Sequence, residues 1–474
     1  MTHSNNEIRV RFAPSPTGHL HMGSVRVAIF NWLFARNKGG KYLVRIEDTD
    51  VVRSKKEYVD SILSSLKWLN LLPDEPTFYQ LSRIEEHKKV VQELLDKKLA
   101  YPCFCEPKDL EEKRQDRTQL GKKLGYDGTC RNKPYTQEDL KKPHAIRFRL
   151  PDDLKFIEFD DAIRGKIKIE ADQLDDFVIM RREGIPTYNF VVVLDDIYMK
   201  ISHVIRGEDH ISNTPKQILI YQALNETIPT FAHLPLILGP SGNRLSKRDA
   251  AVNVCEYKDK GFLADAFFNY LVRLGWSHGD QEIFTKDEMI KYFSFDHVGK
   301  KGSIFDVKKL EWLNGVYIRN LSFEEFLNAI NEIENSEKLL QLWSNEKLKE
   351  LFEQYKERAI NLVGIVQDMI SLAHAPKALD LSLIKKWSSE KTADLLKTFA
   401  QEVEKLDELG HDKLLEIARE ICAKFEVKLV ALAQPLRLAL VGKVVSPGVF
   451  ELIGILDKKE FIKRVDFLVE QLKN

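Results

Sequence analysis

The stretch Ile8-Arg9-Val10-Arg11-Phe12-Ala13-Pro14-Ser15-Pro16-Thr17-Gly18-His19-Leu20-His21-Met22-Gly23-Ser24 decides how the chain begins to fold. Residues 8–13 are short and β-prone, and the two prolines that follow cannot extend a ladder, so 8–13 read as a strand stopping at a turn over 14–18. Over 23–37 apolar residues recur at helical spacing, with Val25, Ala28, Ile29, Trp32 and Leu33 as the buried stripe. Lys38-Gly39-Gly40-Lys41 ends that helix, and residues 42–46 form a second strand whose end delivers Glu47, Asp48 and Asp50. A strand-helix-strand unit of this kind implies a parallel sheet that binds ligands at the carboxyl ends of its strands. The turn over 14–24 lies at such an end.

Working outward, the pattern from Ala100 breaks into short strands, cysteines and charged helix, and 100–184 reads as an insertion. The apolar run Asn189-Phe190-Val191-Val192-Val193-Leu194 reads as a buried parallel strand that marks the return of the sheet. Beyond Ser322 the apolar spacing is helical almost to the end. A chain of 474 residues is long enough for about three ordinary domains. With 43% hydrophobic and 30% charged residues it is globular in composition, and no apolar run is long enough for a membrane helix, so no membrane association is expected. The polar start shows no signal or transit pattern, and five cysteines do not suggest a disulfide framework; a cytoplasmic protein is expected. Lys plus Arg equals Asp plus Glu at 72 each, so net charge gives no support to nucleic-acid binding, although a local basic face remains open.

Two segments carry chemistry. His21 and Gly23 fall where the first strand hands over to a helix, and there backbone N–H groups and the positive end of the helix dipole favour an anion such as phosphate. A histidine in a turn is more often structural, so this segment alone decides nothing. The loop Gly242-Asn243-Arg244-Leu245-Ser246-Lys247-Arg248 has three cations and a hydroxyl, suited to closing over a polyphosphate; its ordinary reading is a solvated basic loop.

Together and in this order, His21-Met22-Gly23-Ser24 and Arg244-Leu245-Ser246-Lys247-Arg248 resemble the paired ATP motifs of class I aminoacyl-tRNA synthetases. Arg11-Phe12-Ala13-Pro14-Ser15-Pro16-Thr17-Gly18, Arg45-Ile46-Glu47-Asp48-Thr49-Asp50, Pro186-Thr187-Tyr188-Asn189-Phe190, Arg206-Gly207-Glu208-Asp209-His210 and Ala433-Gln434-Pro435-Leu436-Arg437 are similar to segments of bacterial-type glutamyl-tRNA synthetases. The likeness runs nearly end to end. It departs from the commonest family pattern at Ser24 and at Asp249-Ala250-Ala251.

The resemblance implies an α/β fold: a Rossmann-like parallel-sheet catalytic domain over 1–99 and 185–238, an inserted acceptor-stem-binding domain over 100–184, a stem-contact domain over 239–321 and a helical anticodon-binding domain over 322–474. It implies a monomer that joins L-glutamate to tRNA(Glu) through a glutamyl-adenylate, using ATP with Mg²⁺. Arg11, Ser15, Glu47, Tyr188 and Arg206 are then expected to hold glutamate, and His21, Gly23, Ser24, Glu208, His210, Arg244, Ser246 and Lys247 to surround ATP, with His21 and Lys247 catalytic. The chemistry agrees: a substrate with two carboxylates and one ammonium needs cations and a carboxylate, which Arg11, Arg206 and Glu47 supply, although a surface salt-bridge set is their bland alternative. Glutamine would leave a desolvated guanidinium unpaired, at a cost of about 3–5 kcal/mol.

Some family members hold zinc in the insertion with Cys-x-Cys, a later cysteine and a histidine two residues beyond. Here Cys103, Cys105 and Cys130 match, but Asn132 stands at the histidine position, so zinc is weighed evenly against a metal-free loop. Arg358 occupies a position resembling one that reads the third anticodon base; a solvated helix-face arginine is its other reading. Three alternatives remain: a non-discriminating enzyme that also charges tRNA(Gln), a glutamine-specific relative with a β-barrel anticodon domain, and a non-catalytic tRNA-binding protein that kept the fold. The helical C-terminal third argues against the second, and joint retention of His21, Gly23, Lys247, Arg11, Arg206 and Glu47 against the third.

Overall fold

A computed structural model describes residues 7–119, 125–243, 245 and 253–472. It divides into two compact units, the first comprising Met1–Glu256 and Phe268–Asp306, the second Tyr257–Phe267 and Val307–Asn474. No helix of the described residues is long and apolar enough to cross a membrane.

The strands in chain order are β1 (Arg9–Phe12), β2 (Lys41–Ile46), β3 (Phe78–Tyr79), β4 (Ala100–Cys103), β5 (Ala145–Phe148), β6 (Phe156–Asp161), β7 (Gly165–Glu170), β8 (Val178–Met180), β9 (His203–Gly207), β10 (Thr230–Leu234), β11 (Ile237–Leu238) and β12 (Ser303–Ile304). The first unit is built on a seven-stranded sheet of order β3-β2-β1-β9-β10-β6-β7. It is parallel except for the antiparallel hairpin β6–β7 at one edge. As expected, β1 and β2 pair in parallel, Val10 opposite Tyr42, and are joined through the helix Met22–Asn37.

That helix buries more than the single stripe its spacing suggested, adding Met22, Phe30, Phe34 and Ala35. One side lies on the sheet and the other meets the helix Lys286–Tyr292 and its neighbours, where Phe34 stacks on Phe295 at 4.6 Å. The chain leaves it through Gly39, whose positive φ of 62° suits glycine. At Gly40 any Cβ would overlap the carbonyl of Ile8, the residue that sets β1 beside β2 by accepting a hydrogen bond from Lys41 N at 2.7 Å.

The run 189–194 is not a strand. It lies in the helix Tyr188–Tyr198, where Phe190, Val191, Val192, Val193, Leu194, Asp195 and Asp196 are all buried. A helix covered on every side loses its amphipathic period and so reads like a buried strand. The sheet instead returns at β9, which pairs with β1 through His203 opposite Val10.

Within 100–184, β4, β5 and β8 form a separate antiparallel sheet, whereas β6 and β7 extend the central sheet, Asp161 of β6 lying opposite Phe231 of β10. The second unit is helical, from Val307–Arg319 to Lys458–Gln471, around a core that includes Phe326 stacked on Phe352 at 4.2 Å. Ser322 and Glu325 form a capping box on Phe323–Ile330, satisfying backbone N–H groups that the first turn leaves open.

Replacing Gly40 by Ala forces the β1–β2 junction apart and should lower the thermal midpoint by several degrees, from strain of roughly 1–3 kcal/mol. Gly18→Ala is the control, since nothing lies within 4 Å of its added Cβ. Equal midpoints for the two variants would contradict the steric account.

Candidate active site

The carboxyl ends of β1 and β2 bring two arginines to one acid. Arg11 Nε donates to Asp196 Oδ1 at 2.9 Å and its Nη2 to Oδ2 at 3.3 Å. Arg45 Nη1 donates to the same Oδ1 at 2.6 Å and its Nη2 to Glu47 Oε1 at 3.1 Å. All four side chains are buried, and two guanidiniums balance two carboxylates. Burial works to raise the Asp196 pKa, yet Arg11 and Arg45 outweigh it and hold the group below its ordinary value. For Glu47 burial wins over Arg45 and Arg11, and its pKa is raised.

Arg206, on β9, is only 5% exposed and is held differently. Its Nε donates to His233 Nε2 at 3.1 Å, its Nη1 to Gln217 Oε1 at 2.8 Å, and its Nη2 to Thr214 Oγ1 at 2.8 Å and the His210 carbonyl at 3.4 Å. Asn189 Oδ1 accepts from Gln217 Nε2 at 3.1 Å, which turns the Gln217 carbonyl toward the arginine. Every acceptor is neutral, and no carboxylate of the described residues pairs with this guanidinium. Burial lowers its pKa from the ordinary value.

His233, on β10 and fully buried, sets the arginine's orientation. Its Nε2 accepts from Arg206, so its proton sits on Nδ1 and is donated to Asp161 Oδ2 at 2.6 Å. Burial lowers the His233 pKa against the pull of Asp161, which keeps the imidazole neutral. Asp161 ends β6 and also accepts from Ile163 N at 3.0 Å and Arg164 N at 2.8 Å. The edge hairpin thus anchors a chain of contacts that ends on Arg206.

Tyr188 opens the helix Tyr188–Tyr198 and is 38% exposed. Its hydroxyl lies 3.3 Å from His210 Nδ1, and Glu47, Arg206, Arg11 and Arg45 all act electrostatically on it. His210 is pushed down to about 4, by burial first and then by Arg206, and is neutral at physiological pH. Arg11, Glu47, Tyr188, Arg206 and His210 therefore form one group, as expected. Ser15 stays exposed in the turn, its carbonyl accepting from Thr17 N at 2.9 Å.

On the other side of the turn, His21 caps the helix Met22–Asn37. Its Nδ1 accepts from Ser24 N at 3.3 Å, and Ser24 Oγ lies 3.1 Å from its Nε2. A Cβ on Gly23 would meet the His21 ring at 3.3 Å, tighter than ordinary contact, so glycine lets the ring fold over the helix start. The turn is tied to the sheet by the Pro14 carbonyl, which accepts from Glu47 N at 3.0 Å. Exposed imidazole, hydroxyl and helix N-terminus together suit a phosphate.

Glu208 does not project freely: its Oε1 accepts from Leu236 N at 2.8 Å and its Oε2 pairs with Arg164. Arg26 is buried behind the same region and donates to the carbonyls of Leu274 and Pro235; burial pushes it down to about 10 against the attraction of Glu208. Arg244, Ser246, Lys247 and Arg248 lie outside the described residues, as do Asp249, Ala250 and Ala251. The loop that leads to them turns at Gly242, whose N donates to the Gly239 carbonyl at 2.9 Å.

Sequence reasoning missed Arg45, Asp161, Gln217, His233, Arg26 and Arg164. The one local signal was Asp195-Asp196 at the end of an apolar run: acids so placed need buried partners, and Asp196 finds Arg11 and Arg45 while Asp195 finds Gln80 and His87, both at 2.8 Å.

Elsewhere in the first unit, Cys103, Cys105 and Cys130 come together with their sulfurs all within 4.8 Å, the donor set of a thiolate metal site. In the second unit Arg358 is exposed, and its Nη1 donates to the Ser446 carbonyl at 2.8 Å. Arg437 Nε donates to Ser446 Oγ at 2.9 Å, so two arginines converge on one serine.

A family model described as tRNA synthetases class I (E and Q), catalytic domain, matches residues 7–312, and one described as Anticodon binding domain matches residues 324–469. The chain is 42% identical to the glutamate-tRNA ligase of Thermodesulfovibrio yellowstonii across 98% of this chain and 99% of that one. It is 41% identical to the Geobacter sulfurreducens glutamate-tRNA ligase across 99% and 100%. The solved glutamate tRNA ligase of Elizabethkingia meningosepticum, in complex with its amino acid, superposes with a TM-score of 0.86 at 33% identity, covering 98% of this chain and 100% of that one. Similarity of this strength over both units, on a sheet that carries the arginines and the histidine turn in family order, makes the chain a member of the glutamate-tRNA ligase family of class I aminoacyl-tRNA synthetases.

Proposed function

We propose that this chain ligates L-glutamate to tRNA(Glu) at the expense of ATP, with AMP and diphosphate as products. The observation that carries the reading is Arg206: a buried guanidinium with neutral acceptors only, beside Arg11 and Glu47, lacks a carboxylate that an acidic amino acid supplies. Arg206 and Arg11 bind the substrate carboxylates, and Arg11 spends only two of its N–H groups on Asp196. Glu47 faces the ammonium, and Tyr188 closes over the side chain.

In the first step a glutamate α-carboxylate oxygen attacks the α-phosphorus of ATP and the bond to the β-phosphate oxygen breaks, releasing diphosphate. The attacking group is already ionised, so no base is required. His21 and Ser24 at the helix N-terminus, with Arg244, Ser246 and Lys247 of the second motif, stabilise the charge that builds on the phosphoryl oxygens and the leaving diphosphate. Mg²⁺ arrives with ATP and shares that charge. Glu208 acts by fixing Arg164 and the Leu236 backbone at the nucleotide, and neutral His210 offers a hydrogen bond without adding charge. In the second step a ribose hydroxyl of the terminal adenosine attacks the mixed anhydride and AMP leaves.

Residues 100–184 supply the acceptor-stem contacts and the helical unit the anticodon contacts, the latter supported by the match over 324–469. Arg358 and Arg437, brought together on Ser446, form the cationic face offered to unstacked bases. The working compartment is the cytoplasm.

Charging assays with purified tRNA(Glu) and tRNA(Gln) test the proposal. We expect glutamylation of tRNA(Glu), and failure to charge either tRNA would sink it. In the same assay Arg358→Gln should shift the ratio of the two rates; an unchanged ratio removes Arg358 from base reading. Lys247→Ala should reduce glutamate-dependent ATP–diphosphate exchange by roughly a hundredfold or more while glutamate affinity changes little, as for loss of a transition-state contact. Equal losses in both would count against that role.

A further inference from the structure

The three cysteines have a fourth neighbour that the spacing of the sequence does not name. Asn132, two residues beyond Cys130, is turned to Arg149, whose Nη1 donates to Asn132 Oδ1 at 3.1 Å. The hydroxyl of Tyr126 instead lies among the sulfurs, 3.4 Å from Cys103 Sγ and 3.7 Å from Cys105 Sγ, while Cys105 Sγ and Cys130 Sγ are 3.6 Å apart.

These separations have a physical meaning. With zinc at about 2.3 Å from sulfur and about 2.0 Å from oxygen, a tetrahedron has sulfur–sulfur edges of about 3.8 Å and sulfur–oxygen edges of about 3.5 Å. One sulfur–sulfur and two sulfur–oxygen separations fall close to those edges.

The backbone holds the phenol there. Tyr126 N donates to Asp175 Oδ2 at 2.8 Å, the turn at Gly128 reverses the chain, and Cys130 N donates to the Tyr126 hydroxyl at 2.8 Å. The guanidinium of Arg147, a buried residue, lies over the Tyr126 ring at 3.7 Å from its centroid. Three thiolates and a phenolate around a divalent ion carry a net double negative charge, and a buried guanidinium beside them offsets part of it.

We propose that the phenol oxygen of Tyr126, and not Asn132, completes a four-donor zinc site with Cys103, Cys105 and Cys130, and that Arg147 is its buried counter-charge. Binding displaces the protons of the three thiols and the phenol, so the site ties β4 to the turn carrying Cys130 in a way that strengthens as pH rises. The site is structural, since all four positions are filled by protein.

The test uses the full chain, expressed with zinc and purified without chelator, and reads metal content, zinc affinity against a chromophoric chelator, and the visible spectrum after Co²⁺ replacement. The wild type should hold one zinc per chain and give the intense visible bands of a tetrahedral, thiolate-rich cobalt site. Tyr126→Phe keeps the ring under Arg147 and removes only the donor; zinc affinity should fall at least tenfold and the cobalt bands should shift. Tyr126→His, which restores a donor, should recover affinity, and Asn132→Ala should match the wild type. A wild type without zinc, a Tyr126→Phe variant with unchanged affinity and spectrum, or a loss in Asn132→Ala as large as that in Tyr126→Phe would each overturn the assignment. None of these readouts depends on aminoacylation.

Discussion

A positive charge buried without a negative one is the constraint on which this molecule turns. Isolating a guanidinium from water and from carboxylates is costly, by about 3–5 kcal/mol when a partner is removed from a buried pair. Arg206 carries that cost against neutral acceptors alone, and its neighbour Arg11 escapes it by pairing with Asp196. The asymmetry leaves an electrostatic vacancy at the carboxyl ends of the strands. A dianionic amino acid fills it and an amide does not, which is how binding alone separates glutamate from glutamine.

Much of the first unit can be read as support for that vacancy. Thr214 and Gln217 on the helix after β9, His233 on β10 and Asp161 on β6 come from three parts of the chain, and each closes one direction in which the guanidinium could swing. The edge hairpin β6–β7 matters here because it brings Asp161 to His233, fixing the imidazole tautomer and leaving Nε2 as an acceptor. Were His233 protonated, it would confront Arg206 with a second cation; burial lowers its pKa and prevents this.

The sequence made some of this legible and hid the rest for a physical reason. Turn chemistry at Pro14–Gly18, the cap at His21 and the glycines after the first helix are local, so strand, helix and strand could be read directly. Arg11, Arg206 and Glu47 stood out through the resemblance and the charge pattern of the substrate. Their partners did not: Arg11 and Asp196 are separated by 185 positions, and His233 and Asp161 by 72. The run 189–194 was misread because a helix enclosed on all sides has no polar face to betray its period. Tyr126 was invisible for a similar reason, since a phenol near three cysteines is found by distance and not by spacing.

The most direct measurement of the central claim is a calorimetric titration of L-glutamate and of L-glutamine into the wild type and into Arg206→Gln, with folding checked by thermal melting. The account predicts that the wild type prefers glutamate by at least a hundredfold and that Arg206→Gln loses most of that preference while remaining folded. Equal binding of the two amino acids by the wild type, or an undiminished preference in the folded variant, would contradict it.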